Sequence, residues 1–249
     1  MDRRLALKQM MLMLGVSAIS PVSALDLGKA LDAAKSLTKS ASITDDEIKS
    51  YFSLMSKEYD AQNQVAAAND PYAKRLDTLT KNLTQYDGQD FNYKVYLTPD
   101  VNAFAMGDGT VRIYSGLMDL MTDDEVRYVI GHEMGHVKSG HSKARMQTAL
   151  NTSALRDLTN AAGGTASAIS NSQLGDLVEN VIKAQHSQGN ERQADDYAMK
   201  FLKTNKYSPM AAVTALEKLV KLSGGGGGGW TATHPAPAER AARMRQQAA

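Results

Sequence analysis

The sequence predicts an α+β fold that is mainly α-helical, with a small three-stranded antiparallel sheet beside a central helix. Three observations support this prediction: helical spacing of apolar residues on both sides of the chain's middle, three short alternating segments between residues 91 and 114, and a capped helix directly after them. With 249 residues and 43 % hydrophobic content, the chain can form one well-packed domain with an accessory segment.

Residues 1–24 are predicted to be an export signal. Three basic residues precede an apolar run over 10–19, and small residues at 22–24 suit cleavage near Ala24. The pair Arg3-Arg4 fits either a Sec or a twin-arginine signal. The apolar run is shorter than the ~20 residues that span a bilayer, so we do not expect an uncleaved anchor. Cleavage removes three basic residues and one acidic residue, so the net charge of +1 becomes −1.

Composition excludes several classes of protein and site. The chain has no cysteine, which rules out disulfides, thiolate metal sites, cysteine nucleophiles and a lipid-modified N-terminal cysteine. Its charge is nearly balanced without a basic block, so we expect no nucleic-acid partner. No later stretch is long and apolar enough to cross a membrane, and we therefore expect a mature chain that is soluble outside the cytoplasm.

The mature chain begins with a segment that we expect to be a tail or a weakly held helix, residues 25–41, and continues as one domain over 42–249. Thr44 and Glu47 form a capping box that predicts the first helix of that domain. Asp70-Pro71 predicts the start of a second helix. Both helices are interpreted as scaffold.

Three strands and a helix are predicted next. The alternating segments are Phe91 to Leu97, Val101 to Met106 and Thr110 to Tyr114, with Gly107-Asp108-Gly109 suited to a hairpin between the last two. A second capping box, Thr122 with Glu125, predicts the start of the central helix.

The remainder of the chain is predicted to be helical with one flexible interruption. Residues 150–187 have the composition of irregular helix and loop. Three helices are then predicted: Glu191 to Leu202, one that follows Ser208-Pro209 and ends near Leu222, and Ala236 to Gln247. A run of six glycines, 224–229, separates the last two and has no preferred conformation.

The central helix carries the most informative motif, His132-Glu133-Met134-Gly135-His136. Residues four apart share a helix face, so the two imidazoles can bind one ion, while Glu133 is displaced from it and can take a proton from metal-activated water. Gly131 and Gly135 are four apart on the same helix, which predicts close approach by another backbone.

A catalytic zinc normally has three protein ligands and a water, so a third ligand is needed. His141, His186, His234 and the downstream carboxylates are the candidates. A metzincin pattern would need glycine at Ser139 and histidine at Ser142, and His141 is interpreted as a polar residue near the helix end. Glu191 and Asp195 share a helix face and form the stronger pair, with Glu191 as ligand and Asp195 as acceptor from a ligand imidazole. The alternative is a solvated acidic helix, the interpretation favoured for Asp196.

Several segments in a fixed order resemble the gluzincin metallopeptidases of the group that contains HtpX, the CAAX prenyl proteases and BepA, and most of all periplasmic LoiP-like enzymes. The matching segments are Asn102-Ala103-Phe104-Ala105, Gly116-Leu117-Met118, Gly131 to His136, Glu191-Arg192-Gln193-Ala194-Asp195, and His234-Pro235 with Arg240. The resemblance implies a zincin-type fold, a zinc metalloendopeptidase and Glu191 as the third ligand. LoiP-type proteins are commonly lipoproteins, and HtpX and the prenyl proteases span membranes; this chain departs from both patterns.

The resemblance, together with the positions of the residues, gives expected roles for the remaining candidates. One Zn²⁺ per subunit is expected on His132, His136 and Glu191, with Glu133 as general base. His234 is expected to be an oxyanion donor or an inhibitory fourth ligand, with the glycine run as hinge and Tyr197 as a weaker donor candidate. Arg240 is expected to pair with a carboxylate and hold the last helix.

We expect the segment Asn102, Ala103, Phe104 and Ala105 to bind substrate as a sheet edge, mainly through the backbone. Loose side-chain selectivity of this kind suits unfolded or misassembled envelope polypeptides, hydrolysed in the periplasm with a possible outer-membrane assembly partner.

Two alternatives stay open at the level of sequence. The first is a chaperone-like or binding module whose zinc site is kept largely silent by its loop. The second is a metal hydrolase that does not act on peptides. The ligand set favours zinc, with cobalt or manganese as other occupants.

Overall fold

The computed structural model describes residues 45–150, 180–223 and 229–249. Helices and strands of these residues follow one another in the order α1 Asp45–Gln62, α2 Pro71–Thr80, β1 Gln85–Tyr86, β2 Gln89–Asp90, β3 Asn92–Tyr96, β4 Ala103–Ala105, β5 Thr110–Tyr114, α3 Ser115–Leu120, α4 Asp123–Lys138, α5 His141–Leu150, α6 Gln188–Thr204, α7 Met210–Ser223, α8 Trp230–Thr233 and α9 Pro237–Ala248. The α+β, mainly helical prediction is confirmed. The export signal, the tail 25–41, the Thr44 capping residue and most of the glycine run lie outside the described residues.

Helix α4 is the centre of the domain. Its first turn has the predicted capping box, in which the Thr122 backbone N–H donates to Glu125 Oε2 at 2.7 Å. From Tyr128 to Val137 every side chain of α4 is buried, because α6, α7 and the sheet pack around it. Because α4 is enclosed in this way, its polar side chains are shielded from water and can form a buried site.

The sheet differs from the prediction in one respect. Its order is β3-β5-β4; β4 pairs antiparallel with β5 as predicted, but β3 pairs with β5 in parallel, so the expectation of an entirely antiparallel sheet was wrong. The hairpin returns the chain as β5 into the space between β3 and β4. Residue alternation indicates which segments are strands but not which strand lies between the other two, since that pairing is not local.

The other predicted helices are present with slightly different bounds. Asp70 caps α2 through a 2.8 Å bond from the Tyr72 N–H to its carboxylate, and α6, α7 and α9 occupy the predicted segments. The sequence reasoning did not predict α3, α5, α8 or the short β1-β2 hairpin, whose turn at Asp87-Gly88 has positive φ at both residues. Two buried apolar clusters support the fold, a larger one around α4 and a smaller one between α1 and the sheet. No helix of the described residues is long and apolar enough to cross a bilayer.

Candidate metal centre

The motif of α4 lies on its buried face. His132 is 0 % exposed, and Glu133 and His136 are each 1 % exposed. The predicted geometry is found, because the Nε2 atoms of the two imidazoles approach each other to 3.0 Å. Glu133 lies between them in sequence and points toward a different neighbour, the indole of Trp230, whose Nε1–H donates to its Oε1 at 3.5 Å.

Helix α6 brings the acidic pair to the same place. A Cβ built on Gly135 would lie 3.0 Å from the Cα of Ala194, and one on Gly131 would lie 2.7 Å from the Phe201 ring. The two glycines therefore permit the close helix contact that their spacing predicts. This contact places Glu191 and Asp195, 1 % and 0 % exposed, against the motif.

Four potential ligand atoms converge, one each from His132, His136, Glu191 and His234, all within 4.8 Å of one another. Nε2 of His136 is 3.3 Å from Glu191 Oε1, and Nε2 of His132 is 3.6 Å from Glu191 Oε2. A tetrahedral zinc with bonds of about 2.0–2.1 Å needs ligand atoms about 3.3–3.4 Å apart. The 3.3 Å from His136 Nε2 to Glu191 Oε1 matches this spacing, and the 3.0 Å between the two imidazole Nε2 atoms is slightly shorter.

Two buried atoms of the cluster have no hydrogen-bond partner among the described residues, Glu191 Oε1 and His234 Nε2. An unpaired buried acceptor is destabilising by about 1–3 kcal/mol. Both atoms face the centre of the cluster, so a cation there would satisfy them. Two imidazoles and a carboxylate are also the donor set of known catalytic zinc sites.

An ionic network holds the carboxylates in place. His132 Nδ1 is 3.0 Å from Asp195 Oδ1, which also accepts from the Tyr128 hydroxyl at 2.7 Å. The guanidinium of Arg240 donates to both oxygens of Asp195, at 2.8 and 2.7 Å, and to Oε2 of Glu191. Arg240 thus pairs with a carboxylate and fixes α9 against the site, as the sequence predicts. When His132 Nδ1 donates to Asp195, His132 Nε2 is left with a free lone pair, as a metal ligand requires.

The buried environment shifts the pKa of each group. Burial raises the pKa of Glu133 to about 7 and that of Glu191 to about 8. Burial, with the nearby Arg240 charge, lowers the pKa of His132 to about 4, so its imidazole is neutral and can be a ligand. The bidentate Arg240 keeps the pKa of Asp195 below its ordinary value in spite of burial. These shifts give one permanently charged carboxylate and two that can exchange protons.

His234 is carried by residues 229–236, which we call the strap. The strap is joined to the domain by two backbone bonds, from Trp230 N–H to Val101 O at 3.0 Å and from His186 N–H to Thr233 O at 2.9 Å. The Trp230 ring stacks on the His234 imidazole with centroids 4.3 Å apart and packs under Arg240. His234 is thereby placed over the other three ligand atoms.

The bonds of His234 define its tautomer. Its Nδ1 lies 3.1 Å from the Trp230 carbonyl oxygen and 2.8 Å from Thr233 Oγ1, whose hydroxyl can itself donate to that carbonyl. A carbonyl oxygen only accepts, so all three groups are satisfied when Nδ1 carries the proton. His234 Nε2 then presents a lone pair to the cluster.

Strand β4 forms the edge of the three-stranded sheet in the described residues, as expected of a substrate-binding strand. Asn102 O and Met106 N bond to β5, so Val101, Ala103 and Ala105 direct their backbone groups away from β5, where Ala105 O accepts from Ser142 Oγ at 3.0 Å. The side chains of Ala103, Phe104 and Ala105 are buried in the core. Of the predicted segment, the backbone at Ala103 and Ala105 thus faces away from β5, whereas that of Asn102 and Phe104 faces the neighbouring strand.

Two further histidines, which the sequence offered only as candidate third ligands, lie at the centre. His141 Nδ1 is 3.0 Å from His136 Nδ1, and the His186 ring packs on the His136 ring with centroids 3.7 Å apart. His141 had been interpreted as a polar residue near a helix end; it is 5 % exposed and contacts a ligand candidate. The available signal was Gly140, which has a φ of 70° and ends α4 so sharply that His141 folds back.

Two other residues of α6, Tyr197 and Asp196, lie away from the cluster. The Tyr197 hydroxyl donates to Asp87 at 3.4 Å and its ring lines a cavity with Tyr86 and Lys200, so the weaker donor candidate does not reach the ligand atoms. Asp196 is exposed, as expected, and pairs with Arg243 at 2.5 Å.

Comparison with known proteins agrees with this arrangement. Residues 69–248 match the model of peptidase family M48. The chain is 47 % identical over 206 residues to "Metalloprotease LoiP" of Escherichia coli, a match covering 82 % of each chain. It is 42 % identical to "Metalloprotease YcaL" of the same organism, over 83 % of this chain and 82 % of that one. A plant relative, "Mitochondrial metalloendopeptidase OMA1" of Arabidopsis thaliana, is 30 % identical over 64 % of this chain and 32 % of its own.

The resemblance inferred from the motifs is therefore confirmed, and the family match over residues 69–248 includes α4, α6 and α9. Family M48 is zinc-dependent, in agreement with the clustered histidine and glutamate ligands. The chain belongs to peptidase family M48 and is a zinc metalloprotease.

Proposed function

We propose that the protein is an exported endopeptidase that hydrolyses peptide bonds of unfolded or misassembled envelope proteins. The observation that carries the peptidase mechanism is the convergence of His132, His136 and Glu191 on one buried point with Glu133 beside it. These three side chains would hold one Zn²⁺. When bound, zinc supplies Lewis-acid polarisation of the scissile carbonyl and makes a water molecule acidic enough to act as a nucleophile at neutral pH.

Glu133 is the general base of this proposal. Its pKa, raised to about 7 by burial, lies near the operating pH, where a group that accepts and then donates a proton is most effective. The Trp230 indole and the backbone of Ala105 orient its carboxylate. Glu133 takes the proton from water and delivers it to the nitrogen of the leaving amine.

His234 is proposed to be an inhibitory fourth ligand rather than an oxyanion donor in this conformation. A donor needs a proton on the atom that faces the substrate, whereas His234 Nε2 presents a lone pair and is only 3.4 Å from Glu133 Oε1. The strap also occupies Val101 O on the open side of β4. Substrate would gain access to the ligand cluster and to the edge strand when the strap moves away.

The outward carbonyl of Ala103 is proposed to pair with an extended substrate, because the Ala103 N–H donates to Asn102 Oδ1 and the backbone of Ala105 is engaged by Ser142 and Glu133. In pairing of this kind the hydrogen bonds are made to the substrate backbone rather than to its side chains. The enzyme would therefore accept many sequences provided that they are unfolded. Periplasmic location is proposed from the predicted signal over 1–24, and an outer-membrane assembly partner from the resemblance to LoiP-like enzymes.

The test is cleavage of casein, an unfolded protein, by the mature chain loaded with zinc. Glu133→Gln should lower turnover by about 10²–10⁴-fold while zinc remains bound. Glu239→Gln, which changes an exposed glutamate of α9, is the matched control and should keep full activity. Equal cleavage by wild type and Glu133→Gln would reject the mechanism.

The buried ligand cluster under the strap also favours a second candidate, a loop-latched binding module with a silent zinc site. The same assay in a His234→Ala background separates the two. Cleavage that appears only after this substitution supports a latched peptidase. Stoichiometric zinc with no cleavage in either background supports the binding module.

A further inference from the structure

The two histidines of α4 have different partners for the nitrogen that faces away from the ligand cluster. For His132 this partner is a carboxylate, Asp195. For His136 it is another imidazole, since His136 Nδ1 and His141 Nδ1 are 3.0 Å apart. On its far side, His141 Nε2 is 2.9 Å from Oε1 of Gln193, two residues after the proposed ligand Glu191 on α6.

With Oε1 of the Gln193 amide facing His141, this chain of contacts has one complete assignment of protons. Gln193 Oε1 is a carbonyl oxygen and only accepts, so His141 Nε2 must donate to it. A neutral His141 then has a lone pair on Nδ1, which accepts the Nδ1–H of His136. His136 is left with its lone pair on Nε2, the atom that lies 3.3 Å from Glu191 Oε1 and 3.0 Å from His132 Nε2.

We propose that His141 and Gln193 form a positioning relay that holds the His136 imidazole in its metal-binding tautomer and orientation. The inference rests on the proposed function, in which His136 is a zinc ligand. The partners of ligand imidazoles are usually carboxylates, backbone carbonyls or water. Here a side-chain amide reaches the ligand through a second imidazole, so two helices, α5 and α6, jointly orient a side chain of α4.

The position of each member makes the relay testable. His141 is buried, and substitution of it affects packing as well as hydrogen bonding. Gln193 is exposed, so Gln193→Leu removes the acceptor with little effect on the core. Gln193→Glu keeps an acceptor oxygen, and Gln188→Leu places the same substitution at an exposed glutamine of the same helix.

The experiment measures the zinc dissociation constant of the full mature chain by chelator competition, with circular dichroism to show that each variant is folded. His141→Phe keeps an aromatic ring without nitrogen and should weaken zinc binding about 10–100-fold, the usual effect of losing such a partner. Gln193→Leu should weaken it in the same direction by a smaller factor. Gln193→Glu and Gln188→Leu should retain wild-type affinity.

A second measurement reads the tautomer directly. Imidazole nitrogen-15 chemical shifts of the metal-free protein should show a protonated Nδ1 for His136 in wild type and a mixture of tautomers in Gln193→Leu. Wild-type zinc affinity in folded His141→Phe and Gln193→Leu would overturn the relay. If wild type itself binds no stoichiometric zinc, or if His136→Ala binds it undiminished, the proposed function fails instead.

Discussion

The wall of the site and the strap that covers it are built differently. In the wall, formed by α4, α6 and α9, the buried carboxylate of Asp195 and one oxygen of Glu191 are paired with Arg240, and His132 is paired with Asp195. In the strap, His234 aims an unpaired Nε2 at the cluster. The wall is held by a charged, desolvated network, whereas the strap is held by backbone bonds to Val101 and His186 and by the Trp230 side chain, which donates to Glu133 and packs under Arg240. The difference indicates a permanent scaffold and a displaceable cover.

Removal of the Arg240 guanidinium from the wall should have the largest effect on stability. Arg240→Met leaves two buried carboxylates without their partner and should destabilise the fold by about 3–5 kcal/mol. The matched control is Arg243→Met, which breaks an exposed pair with Asp196 and should change the free energy of unfolding by about 0–1 kcal/mol. Urea denaturation of the metal-free proteins measures both. Similar losses of unfolding free energy in the two variants would show that the buried Arg240 network contributes no more to stability than an exposed ion pair.

The helix contact within the wall gives the next prediction. Gly135→Ala adds a methyl group 3.0 Å from the Cα of Ala194 and should destabilise the protein by about 1–3 kcal/mol, because two backbones must separate. The same separation moves Glu191 away from His136, so zinc affinity should fall as well. Gly189→Ala, where the new methyl meets only Ser187 at 3.7 Å, is the control on the same helix pair. A stable Gly135→Ala with normal zinc affinity would contradict the close-contact interpretation.

Metal uptake by the wall should depend on pH. In the metal-free protein burial raises the pKa of Glu191 to about 8, so below pH 8 this carboxyl is mostly protonated and a cation must displace its proton. Zinc affinity should therefore rise about tenfold per pH unit up to about pH 8. Above that pH, Glu191 is already ionised and should contribute no further increase. Calorimetric titration in two buffers of different ionisation enthalpy measures the released proton. An affinity that is flat between pH 6 and 8 would contradict the shift.

The strap should give the smallest effect on stability and an effect of opposite sign on activity. His234→Ala removes a ligand that competes with substrate, and turnover of casein should increase on the order of tenfold, equivalent to the loss of a contact worth about 1.4 kcal/mol. The free energy of unfolding of the metal-free protein should fall by only about 1 kcal/mol, because the substitution removes one neutral hydrogen bond and a ring stack but leaves no charge unpaired. Decreased turnover would identify His234 as a transition-state donor and remove the distinction between wall and strap.

The success of the sequence predictions follows the range of the interactions involved. The capping box at Thr122, the helical face shared by His132 and His136, and the glycine pair at 131 and 135 depend on residues within a few positions, and all are found. The parallel pairing of β3 with β5 arises because β5 lies between β3 and β4, a long-range choice that the sequence pattern does not show, and there the prediction was wrong. The contact between His141 and His136 was missed because it depends on the direction in which the chain leaves Gly140.

Residue spacing alone specifies the set of reactive groups: two imidazoles with a glutamate between them on one helix, an acidic pair four residues apart on another, and no cysteine. Helical periodicity is a local property, so spacing is sufficient to specify it. How the three buried carboxylates differ depends on their surroundings in the folded protein. Glu133, Glu191 and Asp195 are all buried, yet the position of Arg240, more than forty residues away in the chain, keeps Asp195 charged while burial leaves the other two able to take up a proton. The reason is that a pKa is set by desolvation and nearby charge, which depend on what surrounds a group in space.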